Sequence, residues 1–228
     1  MNTQLTEIAY ILDRSGSMAT HVEPAIAGFN HFLAEQQRAP GLARLTLVLF
    51  DNEYLIHANA VPVAEVVPLD TTTYIPRATT ALLDAIGQTI DELGVRLAAM
   101  PEPERPGTVI VAIFTDGLEN ASTRFTSEEI SQRIKHQTEK YGWKFFFLGA
   151  NQDAIATAAK LNIARHNSAT YAGDAVGARA SQAAFSRKSS ALRAQMMPGV
   201  SYDECPPDAV VSMGELVAEE DAKQRKQE

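Results

Sequence analysis

The chain has 228 residues, a formal net charge of −8 and 45% hydrophobic residues. That length and apolar content suit one globular α/β domain with a sizeable core and exclude a disordered chain. The acidic balance argues against nucleic acid as the main partner, no run reaches the ~20 apolar residues of a membrane span, and a single cysteine, Cys205, excludes an intrachain disulfide and a cysteine zinc site.

The segment 1–7 carries neither a basic stretch nor a long apolar one. It does not read as a secretory leader, and the expected setting is cytoplasmic. Residues 6–12 are a short apolar run that stops at Asp13, as a buried parallel strand does. A polar loop, Asp13-Arg14-Ser15-Gly16-Ser17-Met18, follows. Val22, Ile26, Phe29, Phe32 and Leu33 then recur at spacings of three and four, which predicts an amphipathic helix over 22–37. Residues 42–50 form a second strand, Asp51-Asn52-Glu53 a tight turn, and 54–58 an antiparallel partner, with 60–69 continuing extended. A helix is expected over 81–97, with Thr79 or Thr80 as its N-cap.

Pro101 to Gly107 is a break rich in proline, and 108–114 is the most strand-like run in the chain, ending at Thr115-Asp116-Gly117. The helix 127–141 opens on Thr126, Ser127, Glu128 and Glu129, residues that cap a helix and suit its first turn. A strand over 143–148, a helix over 153–161 and a short strand over 163–166 complete the alternation. Trp143, Phe145, Phe146 and Phe147 read as core. After 170 the pattern changes to an Ala-, Ser- and Arg-rich helix over 175–196 and a charged tail from Gly214, expected to be frayed. The division is therefore 1–170 as an α/β unit and 171–228 as a helical extension with a charged tail. Between Lys160 and Val200 six basic residues (Lys160, Arg165, Arg179, Arg187, Lys188, Arg193) stand against one acid, Asp174; they read as a solvated helix face.

Strands that alternate with helices, plus one hairpin, predict an α/β fold: a doubly wound, mostly parallel sheet with one antiparallel edge strand and helices on both faces. Ligands of such sheets bind beyond the carboxyl ends of the strands. Three separate segments place oxygen-bearing side chains at that edge: Asp13, Ser15 and Ser17 at alternate positions of the first loop, Thr79 and Thr80 before the helix at 81, and Asp116 at the end of the strand 108–114. Taken singly, each is an ordinary turn or helix cap. Together they are a hard, all-oxygen set with only two carboxylates, suited to magnesium, or alternatively manganese or calcium, rather than zinc or copper. An ion held by so few charges keeps affinity for another anion. The loop 149–153 leaves a further strand on the same edge, where Asn151 or Asp153 is within reach of a ligand, although Asp153 reads first as a helix cap. Arg14 either steers an acidic partner or is simply exposed.

These motifs resemble those of the von Willebrand factor A (integrin I-like) family. The DxSxS motif is Asp13-Ser15-Ser17, written DRSGSM; the threonine motif lies in Ala78-Thr79-Thr80-Ala81-Leu82-Leu83-Asp84-Ala85-Ile86; and Thr115-Asp116-Gly117 is the third. The resemblance spans about 5–165 and is similar to the bacterial, intracellular branch. It implies a strand order 3-2-1-4-5-6, magnesium as the usual ion, and Asp13, Ser15, Ser17, Thr80 and Asp116 as a metal-ion-dependent adhesion site. Thr80 fits the family pattern better than Thr79, which stands where glycine is frequent. The implied function is a binding module, not an enzyme, in which a bound divalent cation captures a Glu or Asp of a protein partner. Two other functions compete. One is a magnesium-dependent hydrolase or phosphoryl-transfer enzyme, which would need a base that the sequence does not display, and no P-loop is present. The other is a scaffold merely stiffened by its metal. A Gly-x-Gly-x-x-Gly dinucleotide motif is absent after the first strand.

Overall fold

The computed structural model describes residues 1–150, 153–197, 199 and 206–227. Its strands are β1 (Asn2–Asp13), β2 (Leu42–Phe50), β3 (Tyr54–Pro62), β4 (Pro106–Thr115), β5 (Lys144–Ala150) and β6 (Ser168–Tyr171). They form one sheet in the order β3-β2-β1-β4-β5-β6. Every neighbouring pair is parallel except the β2–β3 hairpin at the edge. This is the expected fold class, and the strand order is the one that the family resemblance implies.

Side chains along each central strand alternate between two cores, as the period of two requires. Ile8, Tyr10 and Leu12 of β1 join Phe114 of β4 on one face; Ala9 and Ile11 join Val111 and Ile113 on the other. The helices are α1 (Val22–Arg38), α2 (Leu82–Ala99), α3 (Ser127–Tyr141), α4 (Ala154–Lys160), α5 (Ala175–Gln195) and α6 (Met213–Arg225). The first face is covered by α1, α5 and α6, the second by α2, α3 and α4. Residue 170, expected as the end of the α/β unit, lies within β6, and α5 shares the first core. Phe185 of α5 packs edge-on against Tyr10 and Phe114, with ring centroids at 5.9 and 5.6 Å, while Tyr10 stacks on Phe114 at 4.6 Å.

Four local expectations need correction. The last strand is β6, not 163–166: Ile163 is buried in the second core, and one 3₁₀ turn at Arg165–Asn167 intervenes before the chain pairs with β5. The tail is ordered from Met213, because Met213, Leu216 and Val217 form a buried stripe at helical spacing and a Ser212–Glu215 capping box opens the helix. The basic segment is not a solvated face throughout. Lys188 is 1% exposed and donates to the carbonyls of Ala209 and Val211 at 2.9 and 2.6 Å, and Arg193 is 2% exposed and donates to the carbonyls of Gln36, Ala39, Pro40 and Gly41 at the end of α1. Desolvation lowers the Arg193 guanidinium to about 10. Finally, Thr79 and Thr80 do not cap α2. The cap position is Ala81, with no side-chain bond of its own, and Glu119 and Ser122 accept from the first-turn amides of Leu83 and Asp84 instead.

Asp153 caps α4 by accepting from Ala156 N, and Trp143, Phe145, Phe146 and Phe147 are buried. Asn151 lies outside the described residues. Among the described residues no helix is long and apolar enough to cross a membrane.

Candidate metal centre

The carboxyl ends of β1 and β4 are adjacent in the sheet, so the loops that leave them are neighbours. This is the point where the strand order reverses, β1 continuing toward β2 on one side and β4 toward β5 on the other. Asp13 closes β1 and is fully buried. Its Oδ1 accepts from Ser15 N at 2.7 Å and its Oδ2 from Thr115 Oγ1 at 2.6 Å. The Ser15 and Ser17 hydroxyls lie 3.0 Å apart, and Ser17 Oγ donates to Asp116 Oδ1 at 2.5 Å. Asp13, Ser15, Ser17 and Asp116 are thus joined in one polar cluster built from two strand ends.

The threonine segment is brought to the same place by backbone bonds. Gly16 N donates to Ala78 O at 3.0 Å, and Arg77 N donates to Arg14 O at 2.9 Å. Ala78 has φ +57, a left-handed conformation that a residue with a β-carbon rarely takes and that turns the chain toward the site. Thr79 is left exposed, whereas Thr80 is 3% exposed. A β-carbon built on Gly117 would lie 2.8 Å from Thr80 Oγ1, 3.3 Å from Ser17 Oγ and 3.5 Å from Ser15 Oγ. Three hydroxyls therefore converge on one small space that only glycine leaves open.

The electrostatics favour a cation in that space. Burial pushes the Asp13 carboxyl up to about 6, with nearby Asp116 adding to the rise and the hydroxyl and amide bonds opposing it. Burial raises Asp116 as well, against the Ser17 hydrogen bond and His21. Among the described residues neither carboxylate pairs with a lysine or arginine; His21 Nδ1 stands 3.7 Å from Asp116 Oδ2. No group of three or more His, Cys, Asp or Glu gathers among the described residues. The donor set is two carboxylates and three hydroxyls, which fits a hard divalent ion and not a soft one.

Arg14 is not the simply exposed residue that was one of its two expected readings. It is 6% exposed, with Nε 3.2 Å from the buried Asp51, which also accepts from Arg77 Nε at 2.9 Å. The DxSxS loop is thereby fastened to the 74–78 segment from below. Three further residues contribute from outside the expected ligand set. Thr115 holds Asp13, the buried Tyr74 donates its hydroxyl to Asp13 O at 2.5 Å, and His21 links the Asp116 side to Gly173 O through Nε2 at 3.1 Å. Thr115 carried a signal, since it stands beside Asp116; Tyr74 and His21 did not, because their roles depend on contacts 61 and 152 residues away.

No family model matches the sequence, and no curated protein is significantly similar to it. Solved structures do resemble it. The von Willebrand factor type A protein from Catenulispora acidiphila is 13% identical, with a TM-score of 0.54 over 82% of this chain and 42% of that one. The von Willebrand factor domain of the type V pili tip protein Mfa5 from Porphyromonas gingivalis is 12% identical, with a TM-score of 0.59 over 87% and 98%. Manganese-loaded TRAP protein from Plasmodium vivax is 14% identical, with a TM-score of 0.54 over 75% and 70%. The chain spans less than half the length of the Catenulispora protein. At such identities the likeness is one of architecture, and in architecture this chain is similar to the von Willebrand factor type A domain.

Proposed function

We propose that this chain is a cation-dependent protein-binding module, not an enzyme, that captures a Glu or Asp side chain of a protein partner in a cytoplasmic setting. The observation that carries this reading is the convergence of the Thr80, Ser15 and Ser17 hydroxyls on the space beside Gly117, between Asp13 and Asp116. Asp13, Ser15, Ser17, Thr80 and Asp116 would hold magnesium, or alternatively manganese or calcium. Bound there, the ion supplies a Lewis acid that retains affinity for a partner's carboxylate, because the chain offers it only two negative charges. The residues themselves orient the site. Thr115 and Ser15 N fix the Asp13 carboxylate, and Ser17 fixes that of Asp116. TRAP, a structural neighbour, was solved loaded with manganese, which supports a site of this kind on this fold. The Ser15 and Ser17 hydroxyls bond to each other and Ser17 to Asp116, which presets them as oxygen donors beside a carboxylate.

The test is a calorimetric titration of the metal-free protein with magnesium, for wild type and Asp13→Ala. Binding in the wild type and its loss in the variant are expected; equal heats would remove the reading. A second arm passes glutamate-bearing peptides and their glutamine counterparts over immobilised protein in magnesium or EDTA. Retention of the glutamate set in magnesium alone is expected, and retention indifferent to EDTA would overturn partner capture.

A further inference from the structure

We infer that Asn120 is a positioning residue for the cation site, setting the reach of the Thr80 hydroxyl by gripping the Thr80 backbone on both sides. The inference rests on the cation reading of that site. Thr80 lies between the left-handed Ala78 and the cap position Ala81, in neither a helix nor a strand. No ladder fixes it. Its amide donates to Asn120 Oδ1 at 3.0 Å, and its carbonyl accepts from Asn120 N at 3.1 Å. These two bonds close a ring between the threonine segment and the loop that begins at Asp116. Together with the bond from Ala81 N to Asp51 O at 2.8 Å, they restrain the peptides on either side of Thr80 from rotating and carrying its hydroxyl away from the space beside Gly117.

Asn120 is itself held from both directions. Glu119 accepts from Leu83 N at 2.9 Å, and from Ala121 N and Ser122 N at 3.0 and 2.7 Å. Asp84 accepts from the amides of Thr123, Arg124 and Phe125, each at 3.0 Å. The loop 117–126 is therefore bolted to the start of α2, and Asn120 is the point at which that plate touches a ligand-bearing residue. Asn120 is exposed and packs in neither core, so a role confined to folding does not account for it. The motif Gly117-Leu118-Glu119-Asn120 thus couples two of the three ligand segments. Supporting groups of this kind alter metal affinity while leaving the ligands chemically unchanged.

The experiment is magnesium titration calorimetry on wild type, Asn120→Ala and Asn120→Asp, with thermal melts of each in EDTA. Asn120→Ala is expected to weaken magnesium by about 10–100-fold, with a metal-free melting midpoint close to wild type. Asn120→Asp keeps an oxygen acceptor for the Thr80 amide and is expected to bind at least as tightly as wild type. A lowered midpoint with unchanged affinity in Asn120→Ala would reduce the residue to a structural one and overturn the inference. So would equal weakening in both variants. If Asn120→Ala fails to fold, Asn120→Ser, whose shorter hydroxyl cannot span to Thr80 N, is read in the same way. Absence of magnesium binding by the wild type refutes the cation reading itself, a result distinct from wild-type binding that Asn120→Ala leaves intact.

Discussion

Gly117→Ala is the sharpest perturbation the structure offers. The added methyl would sit 2.8 Å from Thr80 Oγ1, well inside van der Waals contact, and 3.3 and 3.5 Å from the two serine hydroxyls. The Thr80 side chain can relieve the clash by turning its hydroxyl away, so the fold survives while a ligand is lost and the space for an ion is filled. Losing a direct ligand should exceed the 10–100-fold effect of a supporting group, so magnesium affinity is expected to fall by more than ~100-fold, or about 2.8 kcal/mol at 1.4 kcal/mol per tenfold. The metal-free fold survives at a net cost of no more than about 2.6 kcal/mol: overpacking costs about 1–3 kcal/mol, partly offset by the ~0.4–1 kcal/mol that alanine gains by restricting the unfolded chain. The assay is thermal melting with and without magnesium at about 100 times the wild-type Kd, a level worth about 2.7 kcal/mol to a protein that binds only when folded. For a chain of this size that is a rise of roughly 5–10 °C in the wild type, against at most about 1–2 °C in Gly117→Ala. A variant that melts like the wild type without magnesium, and gains the same rise with it, would refute the placement of the ion.

Phe185→Ala should cost about 3–5 kcal/mol in urea unfolding, because the ring is fully buried among Tyr10, Phe32, Phe114 and Phe146; a loss below ~1 kcal/mol would show α5 to be an appendage. Lys188→Ala leaves the Ala209 and Val211 carbonyls without their ammonium donor and is expected to cost about 2–4 kcal/mol, with faster amide exchange in α6; unchanged exchange there would contradict its role as an anchor. Asp84→Ala removes a charged acceptor shared by the amides of Thr123, Arg124 and Phe125. Their exchange should accelerate by about 10–100-fold, at about 1.5–3 kcal/mol for bonds to a charged group, and wild-type protection factors would show that the loop 117–126 is held by something else.

The fold was legible where a physical period repeats. The apolar runs at 6–12, 42–50 and 108–114 announced β1, β2 and β4 because central parallel strands are buried on both faces. Val22, Phe29 and Leu33 announced α1 because one stripe of a surface helix must face the core. The misreadings share a cause. Ile163 looked like the start of a strand because burial against a helix and burial in a sheet leave the same apolar trace over so few residues. Lys188 and Arg193 looked like surface residues because composition cannot reveal that backbone carbonyls wait for a buried cation. Met213, Leu216 and Val217 carried the helical spacing of α6, but the surrounding glutamates and lysines masked a stripe so narrow.

The site divides in the same manner. Its ligand-type side chains were legible because each lies beside a strand end or helix start within a short motif, while the groups that aim them come from afar and follow no local spacing. The charge balance then shows why the cluster suits a cation. Asp13 is buried deeply enough to hold its carboxyl up to about 6, yet its neighbours are hydroxyls and amides, which favour the ionised form without neutralising it. Arg14, the nearest guanidinium in sequence, is committed to Asp51. A protein that needed these carboxylates only for structure could have paired them with that arginine. Instead Arg14 and Arg77 meet on Asp51, and three hydroxyls converge beside Gly117. A divalent cation there would be balanced by Asp13 and Asp116 alone, and three neutral hydroxyls add no further charge. The same economy of charge would leave a cation-loaded cluster still able to attract an acidic side chain from outside.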